Sequence, residues 1–298
     1  MKSIEEIILR HSHRGMDLLR REIPTDYCRR AAKAVWSWPR GTILLATGFY
    51  VAGHAETDGP SGTLVLVRAL QQIGFRPVVV TDALCRGFFE PEGIDTIYLA
   101  FNAGVRNCQR ILEEYRPVGL ISVERCGKNI RGDYANMRGV SIRSTTAPVD
   151  LLFDIARGMV PTIGIGDGGN EIGMGSLKEA ISEKLSLVPC RTETDHLIIA
   201  TVSNWGAYGL AAGLSQLAGE DLLISAGELR AFLSRTVAMG SVDGMSGRPV
   251  LRVDGFPVET EVSILEDLRR ASGFAGWDQA LRRLPISYII EKLSLPFT

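Results

Sequence analysis

The chain has 298 residues, 45% of them hydrophobic and 22% charged, the composition of a globule able to bury a large core. Lys and Arg number 33 against 34 Asp and Glu, a formal charge of −1, which argues against a broadly basic nucleic-acid or membrane-surface binder. No apolar run approaches the roughly 18 residues needed to span a bilayer. The opening MKSIEEIILR also puts Glu5 and Glu6 where a signal peptide needs apolar residues, so a cytoplasmic protein is expected.

Apolar spacing at Ile4, Ile7, Ile8, Leu18 and Leu19 predicts an amphipathic opening helix over Ile4–Arg21, with His11 and His13 on different faces of it. A second helix follows Pro24, capped by Thr25 or Asp26. Strands are predicted at Thr42–Thr47, Pro77–Thr81, Thr96–Ala100, Val118–Val123, Thr162–Ile165 and His196–Val202. Helices fall between or after them at Gly62–Ile73, Ala103–Tyr115, Pro148–Gly158, Leu177–Leu187 and Ala207–Leu217. Strands that are apolar throughout and separated by helices mean an α/β fold, a mostly parallel sheet with helices on both faces. Beyond residue 220 the pattern is a helical C-terminal segment (Gly227–Val237 and Glu259–Ser272) with irregular turns around Gly244, Gly247 and Pro249. No repeat or linker divides the chain, so residues 1–298 read as one domain with 220–298 a candidate cap or lobe.

Five cysteines are scattered and never form C-x-x-C, which opposes a disulfide framework or a thiolate zinc cage. Cys126, beside Arg125 and close to Lys128, reads as a packed residue rather than an activated thiol. The four histidines show no metal-ligand spacing, and His54 stands apart only because it falls in a glycine loop.

In an open parallel sheet, ligands sit beyond the carboxyl ends of the strands. Four such ends here carry loops dense in Gly, carboxylate, amide and guanidinium groups, which are costly to order and desolvate without a task. One of them, Gly164-Ile165-Gly166-Asp167-Gly168-Gly169, matches G-x-G-x-x-G. Asp167 and Glu171 would face an anionic pyrophosphate there, each contact repulsive by a few kcal/mol at an effective dielectric of about 20. The motif also lies several strands into the chain, so dinucleotide binding is rejected.

The same acids suit a divalent cation. Glu56 and Asp58 after the first strand, with Asp167, Asn170 and Glu171, form a hard oxygen set that favours Mn²⁺ or Mg²⁺, with Ca²⁺ as a third candidate, over zinc. Any one of these could be a turn or cap residue for its own sake; together they are read as metal ligands. A basic half follows the fourth strand, where Arg125, Lys128, Arg131, Arg138 and Arg143 surround Tyr134 and Asn136. Lys128 and Arg131 read as solvated charge. Arg125 and Arg138 are the candidate carboxylate or phosphate grips, with Asn136, Ser203 and Asn204 as neutral substrate donors.

Four segments, TGFYVAGHAETDGPSGT, VERCGKNIRGDYANMRG, GIGDGGNEIGMG and VSNWGAYGL, in this order and spacing, resemble the D-glutamate cyclase-like family over roughly residues 24–250. That family includes the C-terminal half of a mitochondrial enzyme and free-standing prokaryotic relatives. The resemblance implies an α/β fold and the dehydrating cyclisation of D-glutamate to 5-oxo-D-proline. For a free-standing archaeal member it also implies a manganese-dependent phosphatase. In the cyclisation, a metal held by Glu56, Asp58, Asp167 and Glu171 would polarise the γ-carboxylate. Arg125 or Arg138 would hold the α-carboxylate, and Glu171 or Glu124 would take the ammonium proton. The runner-up is metal-dependent phosphoryl hydrolysis, and a third reading is a metal or ligand binder without turnover. The expected partner is a small anionic substrate, not nucleic acid or membrane; homo-oligomerisation is compatible with the sequence.

Overall fold

The computed structural model describes residues 2–274. In chain order the strands are β1 (Thr42–Thr47), β2 (Tyr50–Val51), β3 (His54–Ala55), β4 (Arg76–Thr81), β5 (Thr96–Tyr98), β6 (Gly119–Val123), β7 (Thr162–Gly166), β8 (His196–Ile199), β9 (Arg252–Val253) and β10 (Phe256–Pro257). The helices are α1 (Ile4–Ile8), α2 (Met16–Leu19), α3 (Tyr27–Ser37), α4 (Pro60–Gln72), α5 (Val105–Tyr115), α6 (Asp150–Ala156), α7 (Lys178–Lys184), α8 (Ser203–Ala218), α9 (Ala226–Ala238) and α10 (Val258–Ala271).

Six strands form a parallel sheet in the order β5-β4-β1-β6-β7-β8, while β2–β3 and β9–β10 are separate two-residue hairpins. Counting only the sheet strands, the order is 3-2-1-4-5-6, a doubly wound α/β fold whose winding reverses between β1 and β6. Chains leaving these two neighbours depart on opposite sides, and the gap between them opens a crevice at their carboxyl ends. Alternation along β1 shows why both faces are covered. Ile43 and Leu45 join one apolar layer with residues of α3, α4 and α8, whereas Leu44 and Ala46 join the other with Leu152 and Phe153 of α6. Such a strand has no solvent face and therefore reads as continuously hydrophobic.

α8 is the central helix, buried from Ser203 to Ser215. Its glycines permit close approach: a Cβ on Gly206 would lie 2.6 Å from Ile165 Cγ2 on β7. The helix begins four residues before the expected Ala207, so Ser203 and Asn204 form its first turn rather than a loop. A second departure lies at the amino end. The expected helix over Ile4–Arg21 breaks into α1 and α2, because His11 (φ 64°) and Gly15 (φ 80°) adopt left-handed conformations that a helix cannot contain. The intervening turn carries His11 and His13 against the Phe256 ring and directs Arg14 inward.

Beyond residue 220, α9 and α10 add Leu229, Phe232, Leu233, Ile264, Leu265 and Leu268 to the layer that holds α8; residues 275–298 of the expected cap lie outside the described residues. The junction contains a buried acid. Glu261 of α10 accepts from the Trp205 indole N–H and, at 2.9 Å, from the Tyr208 hydroxyl, both on α8. Burial, with the neighbouring negative charge of Asp58, pushes its carboxyl up to about 8.

This shift makes stability depend on pH with a definite sign. Below the ordinary glutamate value of 4.5 both folded and unfolded chains carry the proton; between 4.5 and about 8 only the folded chain keeps it. The contribution of Glu261 therefore declines as pH rises through that window, by about 1.4 kcal/mol per unit at most. Glu261→Gln fits the same space without titrating. In urea denaturation, wild-type stability relative to the variant falls steadily from pH 5 to 8; a difference that does not change with pH would contradict the assignment.

Candidate active site

The crevice between β1 and β6 collects acids from four segments. The loop after β1 first makes the β2–β3 hairpin and is then pinned by the C-terminal segment, where Thr57 N donates to Val242 O (2.9 Å) and Val242 N to Ala55 O (3.0 Å). This places Glu56 and Asp58 at the end of the sheet, 5% and 1% exposed. Asp58 sits on the amino end of α8. Its Oδ1 accepts from Asn204 N and Gly59 N at 2.8 Å each, and its Oδ2 accepts from Ser203 N at 2.9 Å. These N–H groups lack partners within the helix, so an anion is stabilised there. Gly59 (φ 94°) must be glycine, since a Cβ would lie 2.8 Å from Thr47 Oγ1 and 2.9 Å from Glu124 Cβ.

Glu124 follows β6 directly in a left-handed conformation (φ 47°), a costly geometry for a side chain of that size and one that concentrates at functional sites. The Ser203 hydroxyl donates to its Oε2 at 2.5 Å. Asp167 and Glu171 come from the loop after β7; Glu171 Oε2 accepts from Gly169 N at 2.7 Å. Asp254, in the turn between β9 and β10, enters from the far end of the chain. Arg14 Nη1 lies 2.8 Å from both Asp167 Oδ2 and Asp254 Oδ2.

Within this crevice, oxygens of Asp58, Asp167 and Asp254 lie within 4.8 Å of one another, and so do oxygens of Glu124, Asp167 and Glu171. Asp167 is common to both groupings. Such crowding is reflected in the titration of the acids. Burial, then the charge of Asp254, pushes Asp58 up to about 7. Burial raises Glu56 and Glu124 well above the usual carboxylate range, reinforced by neighbouring acids, and raises Asp167 despite the opposing charge of Arg14. Two buried oxygens, Asp167 Oδ1 and Asn170 Oδ1, have no hydrogen-bond partner. A set of hard oxygens with unpaired members could hold a divalent cation of the Mg²⁺ or Mn²⁺ type.

Above the acids opens a cavity of about 500 Å³ lined by Glu56, Glu124, Asp167, Asn170 and Asp254 at its floor. Its rim comes from the β2–β3 turn, from Asn136-Met137-Arg138 and from Gly244-Met245-Ser246-Gly247. The volume lies in the range of about 300–1,000 Å³ common for small-molecule sites.

Glu56, Asp58, Glu124, Asp167, Asn170 and Glu171 thus converge. Several of the expected substrate contacts do not. Arg125 is 1% exposed and turns away beneath the sheet end, where it bonds Asp82 Oδ2 (2.6 Å) and the carbonyls of Gly48 (2.7 Å) and Ala147 (2.8 Å). It is a buried tie between loops: its Nη atoms are taken by these partners, and its Nε, though unpaired, is buried out of a substrate's reach. Ser203 and Asn204 are 0% exposed and serve the acids instead; Asn204 Oδ1 accepts from Gly59 N (2.9 Å) and Gly62 N (2.6 Å), joining the starts of α4 and α8. Asn136 turns its Oδ1 onto Arg138 N and Val140 N, shaping the rim, and Arg138 stands exposed at the mouth. Cys126 is buried and its thiol is pushed up by that burial, so it is not an activated nucleophile. Arg14 and Asp254 are members of the site that sequence reasoning missed. Asp254-Gly255 between two short extended pairs carried a turn signal that could have flagged Asp254; nothing in the local pattern marks Arg14.

The architecture and the crevice define a doubly wound α/β protein with an acid-floored ligand cavity at its topological switch point. The chain belongs to the D-glutamate cyclase-like family: the family model described as D-glutamate cyclase-like, C-terminal, matches residues 4–269. Human mitochondrial D-glutamate cyclase is 32% identical over 199 residues, a match covering 58% of this chain and 32% of the human protein, so this chain corresponds to about a third of that relative's length. An exopolyphosphatase-related protein from Bacteroides fragilis superposes with a TM-score of 0.38 and 10% identity over 90% of this chain and 66% of that one, too distant to bear on the site.

The reassignment of Arg125 is directly measurable. Arg125→Met leaves the Asp82 carboxylate buried without its partner, a change that costs about 3–5 kcal/mol in denaturant unfolding. The double variant Arg125→Met/Asp82→Asn recovers part of that loss. A destabilisation under about 1 kcal/mol for Arg125→Met would mean that the guanidinium is not the structural tie described here.

Proposed function

We propose that this chain is an enzyme that closes D-glutamate to 5-oxo-D-proline with loss of water, acting with a divalent cation, Mn²⁺ or Mg²⁺, in the acid-floored cavity. The observation that carries this reading is the pair of carboxylate groupings that share Asp167, with Asp167 Oδ1 unpaired between them. Membership of the D-glutamate cyclase-like family supports the choice of reaction.

Asp58, Asp167, Asp254, Glu124 and Glu171 are the residues that would hold the cation, with Asn170 and Glu56 beside them. When bound, such a cation supplies positive charge that offsets the substrate's γ-carboxylate and eases departure of its oxygen. The protein's own groups account for the rest. Arg138 at the mouth offers a guanidinium to the substrate's α-carboxylate, which folds the amine toward the carbon of the γ-carboxylate. Glu124 lines the cavity, and its Oε2 is fixed by the Ser203 hydroxyl. Burial and the neighbouring acids raise its affinity for a proton, and as the carboxylate it takes one from the substrate ammonium. The nitrogen then forms the bond to the carbon of the γ-carboxylate as one of that carbon's bonds to oxygen breaks. The ammonium sheds two protons in all, and both leave with that oxygen as water. The N–H groups of α8 hold Asp58 in place throughout.

Purified protein with Mn²⁺ and D-glutamate is expected to yield 5-oxoproline, detected by chromatography, and Asp167→Ala is expected to abolish Mn²⁺ binding in calorimetry. No product from D-glutamate, with phosphate released from a generic ester, would assign the same residues to phosphoryl hydrolysis. Full Mn²⁺ affinity in Asp167→Ala would remove the cation from this crevice.

A further inference from the structure

Two arginines near the sheet ends, Arg125 buried and Arg14 half-buried, are held in opposite ways. Arg125 is fixed by one carboxylate and by backbone carbonyls that cannot move without unfolding the loops. Arg14 touches no carbonyl. Its partners are Asp167 and Asp254, through one nitrogen at 2.8 Å from each, and the Met245 sulfur at 3.6 Å from the other. Both carboxylates belong to the grouping with Asp58 whose oxygens converge, and Met245 is an exposed residue of the rim. The guanidinium therefore stands on cation-binding oxygens. It is carried by a non-helical turn bounded by the left-handed His11 and Gly15, which leaves the α1–α2 connection free of helical hydrogen bonds at that point. Its side chain is 16% exposed and lines the cavity; among the described lining residues, the other cationic side chain is Arg138 at the mouth.

We infer that Arg14 is a tethered stand-in for the divalent cation: it neutralises Asp167 and Asp254 when no cation is present, and on cation binding it is released into the cavity to grip the anionic group of the substrate. The inference rests on the cation-assisted reading above and names a specificity residue within it. Charge balance drives the exchange. A divalent ion places more charge on the same oxygens than one guanidinium nitrogen, and an anionic substrate offers the displaced guanidinium a carboxylate to replace those it has given up. Cation and substrate would consequently bind with positive coupling, each stabilising the state the other needs. A guanidinium suits the second role because its planar fork matches a carboxylate bidentately.

The test is a Mn²⁺ titration by calorimetry on metal-free wild type, Arg14→Gln and Arg14→Lys, without substrate. Removing an internal competitor tightens binding: Arg14→Gln is expected to bind Mn²⁺ about tenfold more strongly than wild type or better, with Arg14→Lys, which grips one carboxylate at a time, between them. Unchanged or weaker Mn²⁺ binding in Arg14→Gln overturns the inference, since an arginine that merely braces the ligands would lower affinity when lost. If Arg14→Gln does not fold without metal, Arg14→Lys decides by the same criterion. With Mn²⁺ saturating, D-glutamate binding is expected to weaken about tenfold in Arg14→Gln, and unaltered binding overturns the substrate half of the role. A wild type that binds Mn²⁺ but leaves D-glutamate unchanged would instead sink the proposed reaction, while the titration of the variants would still stand.

Discussion

Six carboxylates, those of Glu56, Asp58, Glu124, Asp167, Glu171 and Asp254, are each at most 5% exposed and occupy one crevice. Two such charges about 4 Å apart repel by roughly 4 kcal/mol at an effective dielectric of about 20, so the arrangement cannot persist as bare charge. The fold offsets the repulsion in three ways. Backbone N–H groups at the start of α8 and in the loop after β7 solvate Asp58 and Glu171, Arg14 pairs with Asp167 and Asp254, and several of the acids are pushed toward the protonated form. In the proposed function a divalent cation supplies the charge that these measures leave short.

Every element that reaches the crevice is fixed by something distant. The central helix α8 takes its place because it is apolar on all sides and small where it crosses β7. Its amino end then holds Asp58, and its first residues reach Glu124 and the start of α4. The C-terminal segment contributes Asp254 only because α10 is locked to α8 through Glu261, Trp205 and Tyr208, and because Val242 bridges the loop after β1. Arg125, beneath the loops, keeps the ends of β1, β4 and β6 in register with one another. Stability and site geometry are thus the same set of contacts. A change at Glu261 or Arg125 acts on the cavity through the backbone rather than through the ligand.

The strands and most helices were legible in the sequence because a parallel sheet covered on both faces leaves continuous apolar runs, as in TILLAT of β1, and no other arrangement buries them. Glu56, Asp58, Asp167 and Glu171 were legible for a related reason: they follow strand ends, and topology sends all strand ends of one sheet to the same side. What stayed hidden depends on side-chain direction and on breaks in periodicity. Arg125 stands at a strand end, but a long side chain there can turn into the cavity or beneath it, and the acid that captures it, Asp82, lies on another strand's loop. Ser203 and Asn204 looked like loop donors because helix propensity is weak in SNWG, whereas tertiary burial extends α8 back through them. Arg14 was concealed by apolar spacing that continues across a turn in which no helix runs, so nothing set it apart from the rest of the expected helix.

The most direct test of the central claim is anomalous diffraction from crystals of the wild-type protein soaked in Mn²⁺. The account predicts a strong peak among the carboxylate oxygens of Asp58, Glu124, Asp167, Glu171 and Asp254, on the floor of the cavity. Peaks confined to the molecular surface, with Arg14 still paired to Asp167 and Asp254 at saturating metal, would contradict it.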